Sequence, residues 1–145
     1  MARVKIELPA SFLATITIPV RITDLNYGKH LGNDSFVSII HEARVQWLHQ
    51  HHLSELGING TGLIMSDLAI EFKQESYYGD IIDIKIGVAE ISKVSFELYY
   101  SLSTTRDKKN ILLANAKTGM VCYDYAAKKV AAIPEELKSV LDSSS

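Results

Sequence analysis

The sequence predicts an α+β domain, one helix laid against an antiparallel sheet, and two observations carry that prediction. One is a single stretch of helical periodicity, apolar around most of its circumference. The other is a series of segments in which apolar residues recur at every second position. The first such segment, residues 12–23 (FLATITIPVRIT), alternates apolar residues with Thr and Arg and is rich in β-branched side chains. Pro19 within it marks an edge, a bend or an interruption, because proline brings no N–H to a ladder. A polar, turn-forming stretch follows at 24–34 (DLNYGKHLGND), with two glycines and two asparagines. Residues 34–52 then carry the helix. Phe36, Ile40, Ala43 and Trp47 recur at three- and four-residue spacing, and Val37, Ile39 and Leu48 widen the stripe. Asn33 or Asp34 is the expected N-cap.

After the glycine-containing loop 57–62 the chain reads as strand. Segments 63–73, 80–92, 94–105 and 111–124 show β patterning, seen in Ile82, Ile84, Ile86 and Val88 and again in Phe96, Leu98, Tyr100 and Leu102. Their connections are YYGD, a break near Lys93 and the charged tip 106–110, all suited to hairpins. Pro134 opens a short terminal helix, and a Ser-rich tail follows. The order is strand, long helix, then four strands in antiparallel meander. A five-stranded sheet curled around a long central helix is the expected architecture, one domain over 1–145. The outer strands are exposed edges, so a homodimer or homotetramer is expected.

Length and composition narrow the classes. The chain has 145 residues, 47% hydrophobic and 22% charged, with a net charge of −2 and mean hydropathy of +0.06. A chain of this size buries roughly 68–70% of its unfolded surface, enough for a core without staples. The charge argues against nucleic acid or an anionic membrane surface as partner. Cys122 is the lone cysteine and cannot form an internal disulfide. No apolar run approaches the ~20 residues of a bilayer span, and the first residues do not read as a signal peptide. A cytoplasmic protein is expected.

Chemistry is expected where the loop enters the helix. A helix N-terminus presents free N–H groups and partial positive charge, which suits a developing oxyanion. Asp24, Asn26, His30, Asn33 and Asp34 lie around it, with Glu42 about two turns inside. Two readings stay open from the residues alone. In one, Glu42 pairs near Arg44 or with His30, and Asn33 and Asp34 are caps only. In the other, His30 and Glu42 serve general-base hydrolysis. His49, His51 and His52 cluster near the helix end, but no second group of ligands completes a metal site.

At these residues the sequence resembles a known family. DLNYGKHLGNDSF followed by HEAR is similar to the signature of hotdog-fold acyl-thioester hydrolases, which include 4-hydroxybenzoyl-CoA thioesterase and the plant acyl-ACP thioesterases. The family pattern runs D-x-D-x-x-x-H-V-N-N-x-x-Y, then a helix with E-x-A-R. It falls on Asp24, Asn26, His30, Leu31, Gly32, Asn33 and Phe36, then Glu42, Ala43 and Arg44. A second block, aromatic-x-x-P-x-x-x-G-D, resembles FKQESYYGD, with Glu75 at the usual proline. A third, VCYDYAAKKVAAIP, is similar as well.

The resemblance implies an acyl-CoA or acyl-ACP thioesterase that releases a free acid by activated water. It needs no cofactor, coenzyme A being part of the substrate. One departure matters: the second Asp of the pair, the usual nucleophile or base, is Asn26, and an amide cannot take a proton from water. The resemblance therefore shifts the base to Glu42 or His30. Asn26 would orient water or carbonyl, and N–H groups near Asn33–Phe36 would hold the oxyanion. Asp24 replaces the carboxylate only if the loop reaches differently. Lys93 and Ser95 match positions that line the pantetheine path, and Trp47, Leu63 and Met65 are candidates for the acyl pocket. Arg106, Lys108 and Lys109 read as a solvated tip. Two rivals remain, a non-catalytic acyl-thioester binder motivated by Asn26, and an enoyl-thioester hydratase, whose D-x-N-P-x-H motif DLNYGKH approaches without the proline.

Overall fold

The computed structural model describes residues 3–142. Its elements are β1 (Ala14–Pro19), a 3-10 turn (Ile22–Asp24), α1 (Asn33–Gln50), β2 (Thr61–Phe72), β3 (Ile81–Ala89), β4 (Ser95–Arg106), β5 (Lys109–Asp124), β6 (Lys129–Val130) and α2 (Glu135–Leu141). The strands form one antiparallel sheet of six, in the order β1-β3-β4-β5-β2 with β6 paired to β5. The architecture is α+β. Two features differ from the sequence reading. The sheet has a sixth strand, a two-residue return after Asp124 too short to leave an alternating pattern. And the four later strands are not one meander: β3-β4-β5 is, but β2 pairs with β5, so β1 and β2 are the outer strands. Periodicity finds strands but does not rank their partners.

The helix begins where predicted but caps differently. Its N-cap is Gly32, in extended conformation, and neither Asn33 nor Asp34 caps it with a side chain. A Cβ on Gly32 would meet Asp34 Oδ1 at 2.6 Å, a contact the exposed Asp34 side chain can relieve by turning away. Pro19 closes β1, as its last residue. α1 buries Phe36, Ile39, Ile40, Ala43, Arg44, Trp47 and Leu48. They meet the alternating inward residues of the sheet, Ile82, Ile84 and Ile86 of β3 and Phe96, Leu98, Tyr100 and Leu102 of β4, in one continuous core.

The opposite face of the sheet carries the N-terminal segment. Ile6 N–H donates to Glu71 Oε1 (3.2 Å) and Leu13 N–H to Ile86 O (2.7 Å), so residues 6–13 run from β2 to β3. Gly87 makes room for that crossing: a Cβ there would stand 2.7 Å from Pro9 Cγ and 3.0 Å from the Ser11 carbonyl.

The β2–β3 connection, residues 73–80, is anchored by Asp80. Its carboxylate accepts hydrogen bonds from the Ser76 hydroxyl (2.7 Å), the Tyr77 N–H (3.0 Å) and the Arg106 guanidinium. Arg106 also donates to Glu75 O and lies 4.9 Å from the Tyr77 ring centroid. The expectation that Arg106 is a solvated tip residue is therefore overturned. The turn is the two residues Asp107–Lys108, both at positive φ, which leaves Arg106 in the ladder opposite Lys109. Burial pushes the Asp80 carboxyl up, but Arg106, Tyr77 and Ser76 outweigh it and hold the group down at about 2.

Gly87→Val is expected to lift residues 9–12 off the sheet and cost about 1–3 kcal/mol. Chemical denaturation reads the loss, and limited proteolysis should cut earlier within residues 3–12. Asp80, with a folded pKa of about 2, lies below its unfolded value of roughly 3.9. Its contribution is therefore fully present above pH ~4, is lost as pH falls towards 2, and amounts to on the order of 2 kcal/mol. Denaturant midpoints between pH 7 and 2 should show this acid loss, and Asp80→Asn should flatten it while lowering stability at pH 7.

Candidate active site

The loop that resembles the thioesterase signature is a tight hairpin. Leu25 and Leu31 form an antiparallel bridge, and Asn26 N–H donates to His30 O (2.8 Å). Lys29 N–H closes the turn on Asn26 O (3.0 Å), with Lys29 at φ 66°. The Asn26 side chain is spent on this turn: its Oδ1 accepts the N–H of Gly28 (2.8 Å) and of His30 (3.2 Å). This is the Asx arrangement that short amides adopt in loops. Asp24 is equally engaged. It is buried, and its two oxygens accept the Arg21 backbone N–H (2.8 Å) and guanidinium (3.1 Å).

His30 faces a different neighbour from those expected. Its Nδ1 lies 3.3 Å from Glu75 Oε1, and its ring meets that of Tyr77 edge-on at 5.2 Å. Tyr77 OH donates to the other Glu75 oxygen (3.2 Å), and Leu31 N–H donates to Ser76 O (2.8 Å). The first and second signature blocks, more than 40 residues apart, are thus clamped together. Just beyond, Asn33, exposed, is the first residue of α1. The N–H groups of Asn33, Asp34 and Ser35 have no intrahelical acceptor, whereas Phe36 N–H already bonds Gly32 O. The donors open to an anion are therefore 33–35.

Two grooves flank α1. Ser38, Glu42 and Gln46 face one of about 420 Å³, shared with Arg21, Asp24 and β1. Val37, Ile40, His41 and Arg44 face the other, about 650 Å³, whose far wall is Leu56, Leu63, Met65, Leu68 and Tyr125. Consecutive helical positions are turned by about 100°, so Glu42 and His41 look into different grooves. Glu42 is exposed and accepts a hydrogen bond from Gln46 Nε2 (2.6 Å). Neither Arg44 nor His30 is its partner, so the pairing offered by the first reading is absent. Leu63 and Met65 line the larger groove. Trp47 does not: it is wholly buried in the core.

Arg44 is the polar residue sequence reasoning left without its true partner. Arg44 Nε donates to Glu55 Oε2 (2.8 Å) and Nη1 to Tyr100 OH (3.2 Å), which in turn shares a hydrogen bond with Thr118 Oγ1 (2.8 Å). The second Glu55 oxygen pairs with His41 Nε2 (2.8 Å). Burial lowers the Arg44 pKa, and Tyr100 and Glu55 more than offset it, so the guanidinium stays charged. Burial likewise pushes the Tyr100 hydroxyl up, leaving it protonated. No local signal linked Glu55 to the helix, since it follows in the loop eleven residues after Arg44.

Lys93 and Ser95 are near in sequence but lie in separate shallow clefts. Lys93 borders α2, with Glu135 and Lys138. Ser95 shares a hydrogen bond with Ser92 Oγ (2.8 Å) and looks toward Asp67, Glu90 and Glu97. Asp67 and Glu97 there already hold Lys117 (3.0 and 2.8 Å), so its charge is committed to them. Burial alone pushes the Cys122 thiol up to about 11, so it stays protonated at neutral pH.

Comparisons with known proteins identify the family. The sequence model of the thioesterase-like superfamily matches residues 20–141. A 1,4-dihydroxy-2-naphthoyl-CoA hydrolase of Microcystis aeruginosa is 31% identical over 110 residues, covering 70% of this chain and 73% of that protein. A protein of the same name from Synechocystis is 27% identical over 111 residues, covering 74% and 79%. Among solved structures, a 1,4-dihydroxy-2-naphthoyl-CoA thioesterase from Synechocystis superposes with a TM-score of 0.80 at 23% identity, over 92% of this chain and 97% of that one. A thioesterase-superfamily structure from Jannaschia gives 0.80 at 16% identity, over 93% and 84%. The chain belongs to the thioesterase-like superfamily and has its hotdog fold.

Proposed function

We propose that this protein hydrolyses an acyl-CoA thioester to free acid and coenzyme A. The observation that carries the reading is the superfamily match across residues 20–141, and the site supplies chemistry that fits it. The thioester carbonyl would sit at the start of α1, where the N–H groups of residues 33–35 can take up negative charge as the tetrahedral intermediate forms. His30, three residues before the helix, would take the proton of the attacking water and return it to the departing thiolate. Asn26 holds His30 in place through the loop rather than touching the proton. Glu42 faces the wrong groove for this role.

The acyl group would lie in the larger groove, whose nearest helical residue, Val37, is one turn from Asn33. Lys93, rather than Ser95, suits the phosphates of coenzyme A. The sheet is read as curling about α1 as the central helix, in a domain spanning the whole chain and working as a homodimer in the cytoplasm. The outer edge of β2 is the proposed contact. Met65 and Phe72 are 41% and 40% exposed on it, and a second copy there would close the groove. Substrate relatedness to the naphthoyl-CoA hydrolases supports an acyl-CoA rather than a carrier-protein thioester.

Incubation with a panel of acyl-CoAs and a thiol-reactive chromophore should show free thiol release, and no release from any member would refute hydrolysis. His30→Ala should lower kcat by about 10²–10⁴-fold. Asn26→Asp should keep both turn acceptors and hence most activity, whereas Asn26→Leu should lose both and at least tenfold in kcat. If Asn26→Asp is as damaged as Asn26→Leu, the amide nitrogen, not the turn, is what matters at this position.

A further inference from the structure

Glu42 takes no part in the proposed chemistry, yet the groove it faces has the make-up of a ligand site. That groove, between α1 and β1, has apolar walls of Ile18, Pro19 and Ile39 and a row of polar side chains, Ser38, Glu42 and Gln46. The three polar residues stand four apart on α1, so they share one face at intervals of about 6 Å. Gln46 Nε2 donates to one Glu42 oxygen (2.6 Å). The other Glu42 oxygen and the Gln46 carbonyl oxygen can each accept a further hydrogen bond. The end of the groove beside the helix start is fixed, because the buried Asp24 carboxylate holds Arg21 and Asp24 O accepts the Gly32 N–H (3.0 Å). Val37 leads into the larger groove one turn from Asn33, and Ser38 leads into this one a turn from Asp34. Two grooves therefore leave the helix start on two sides.

A thioester has two substituents to accommodate, and its carbonyl carbon sends them in different directions. With the acyl group in the larger groove, the sulfur arm falls to the smaller. We infer that the groove between α1 and β1 is the subsite for the pantetheine arm of the substrate, with Glu42 and Gln46 as specificity-determining residues. This rests on the proposed placement of the thioester at residues 33–35. The arm is a saturated chain carrying two amides with nitrogens roughly 5 Å apart, then a hydroxyl beside a pair of methyl groups. Its spacing matches the row on the helix. From the thioester carbon the first amide nitrogen is roughly 6 Å away and the second roughly 11 Å. From Asp34, Ser38 is about 6 Å along the helix and Glu42 about 12 Å. Ser38 would meet the first amide, and Glu42 would accept from the N–H of the second. Gln46, leaning back toward the helix start, would reach the hydroxyl beyond it. The methylene and methyl groups would lie on Ile18, Pro19 and Ile39.

The test compares two thioesters of the acid best released in the acyl-CoA panel, assayed on the full chain. One is carried on pantetheine, the other on N-acetylcysteamine, whose arm ends at the first amide. Wild type is expected to favour the pantetheine thioester in kcat/KM by about tenfold or more. Glu42→Ala should cut that preference by about 3–10-fold, with the loss falling on KM, as for one hydrogen bond removed from an open groove. Glu42→Ala combined with Gln46→Ala should cut it further. Alanine is the best helix former and Glu42 is exposed, so both variants are expected to fold, which circular dichroism checks. A preference unchanged in both variants would overturn the inference. So would an equal fall in kcat on both thioesters, which would put Glu42 at the reacting atoms instead. If no thioester is cleaved, hydrolysis itself fails, and octanoyl-pantetheine and octanoyl-N-acetylcysteamine are titrated by calorimetry. Tighter binding of the first that weakens in Glu42→Ala then supports the subsite, and an affinity that Glu42→Ala leaves alone overturns it.

Discussion

One buried guanidinium organises this molecule. Arg44 reaches from the middle of α1 to β4 through Tyr100, to β5 through Thr118 behind it, and to the loop after the helix through Glu55. Removing one partner of such a buried pair typically costs 3–5 kcal/mol, because the other charge is left in a poor solvent. The pair therefore fixes how α1 sits on the sheet and where the 51–60 loop runs. That loop supplies Leu56, and the helix supplies Val37 and His41, so the same bond sets both walls of the larger groove. A hydrophobic replacement could hold the helix as firmly. It would not leave a carboxylate and an imidazole facing the groove.

The start of α1 depends on a second, weaker set of constraints. The 24–31 hairpin is closed by its own backbone and by Asn26, then clamped to the 73–80 loop by Leu31, His30 and Tyr77. Asp80 and Arg106 hold that second loop in turn. The unpaired N–H groups of the helix point from a platform with two supports, which preorganises them for a developing charge. The substitution of Asn for Asp at position 26 looks different in this light. An amide oxygen that accepts two N–H groups closes the turn that sets the position of His30.

Much of the fold was legible in the sequence because its signals are local. Alternation located every long strand to within a few residues, and the 34–52 pattern found a helix that runs Asn33–Gln50. What the sequence hid is long-range. Nothing near Arg44 announced Glu55 or Tyr100, nothing near Arg106 announced Asp80, and the pairing of β2 with β5 spans half the chain. Glu42 matches a motif position, and the rotation of about 100° per residue, which a motif does not encode, sets it in a different groove from His41. The signature marks a loop and a helix that the fold sets end to end, and the helical rotation decides which groove each side chain faces.

That rotation has a further consequence for how the site is shared. α1 has three working faces: a buried one on the sheet, one beside β1 holding Glu42, and one beside β2 holding His41. Both side faces run alongside an outer strand, β1 or β2, and the one beside β2 holds the larger groove. In the proposed dimer, a second copy along β2 would close the groove that α1 and β2 leave open. The proposed contact and the cluster of His41, Arg44 and Glu55 thus fall on the same side of the helix.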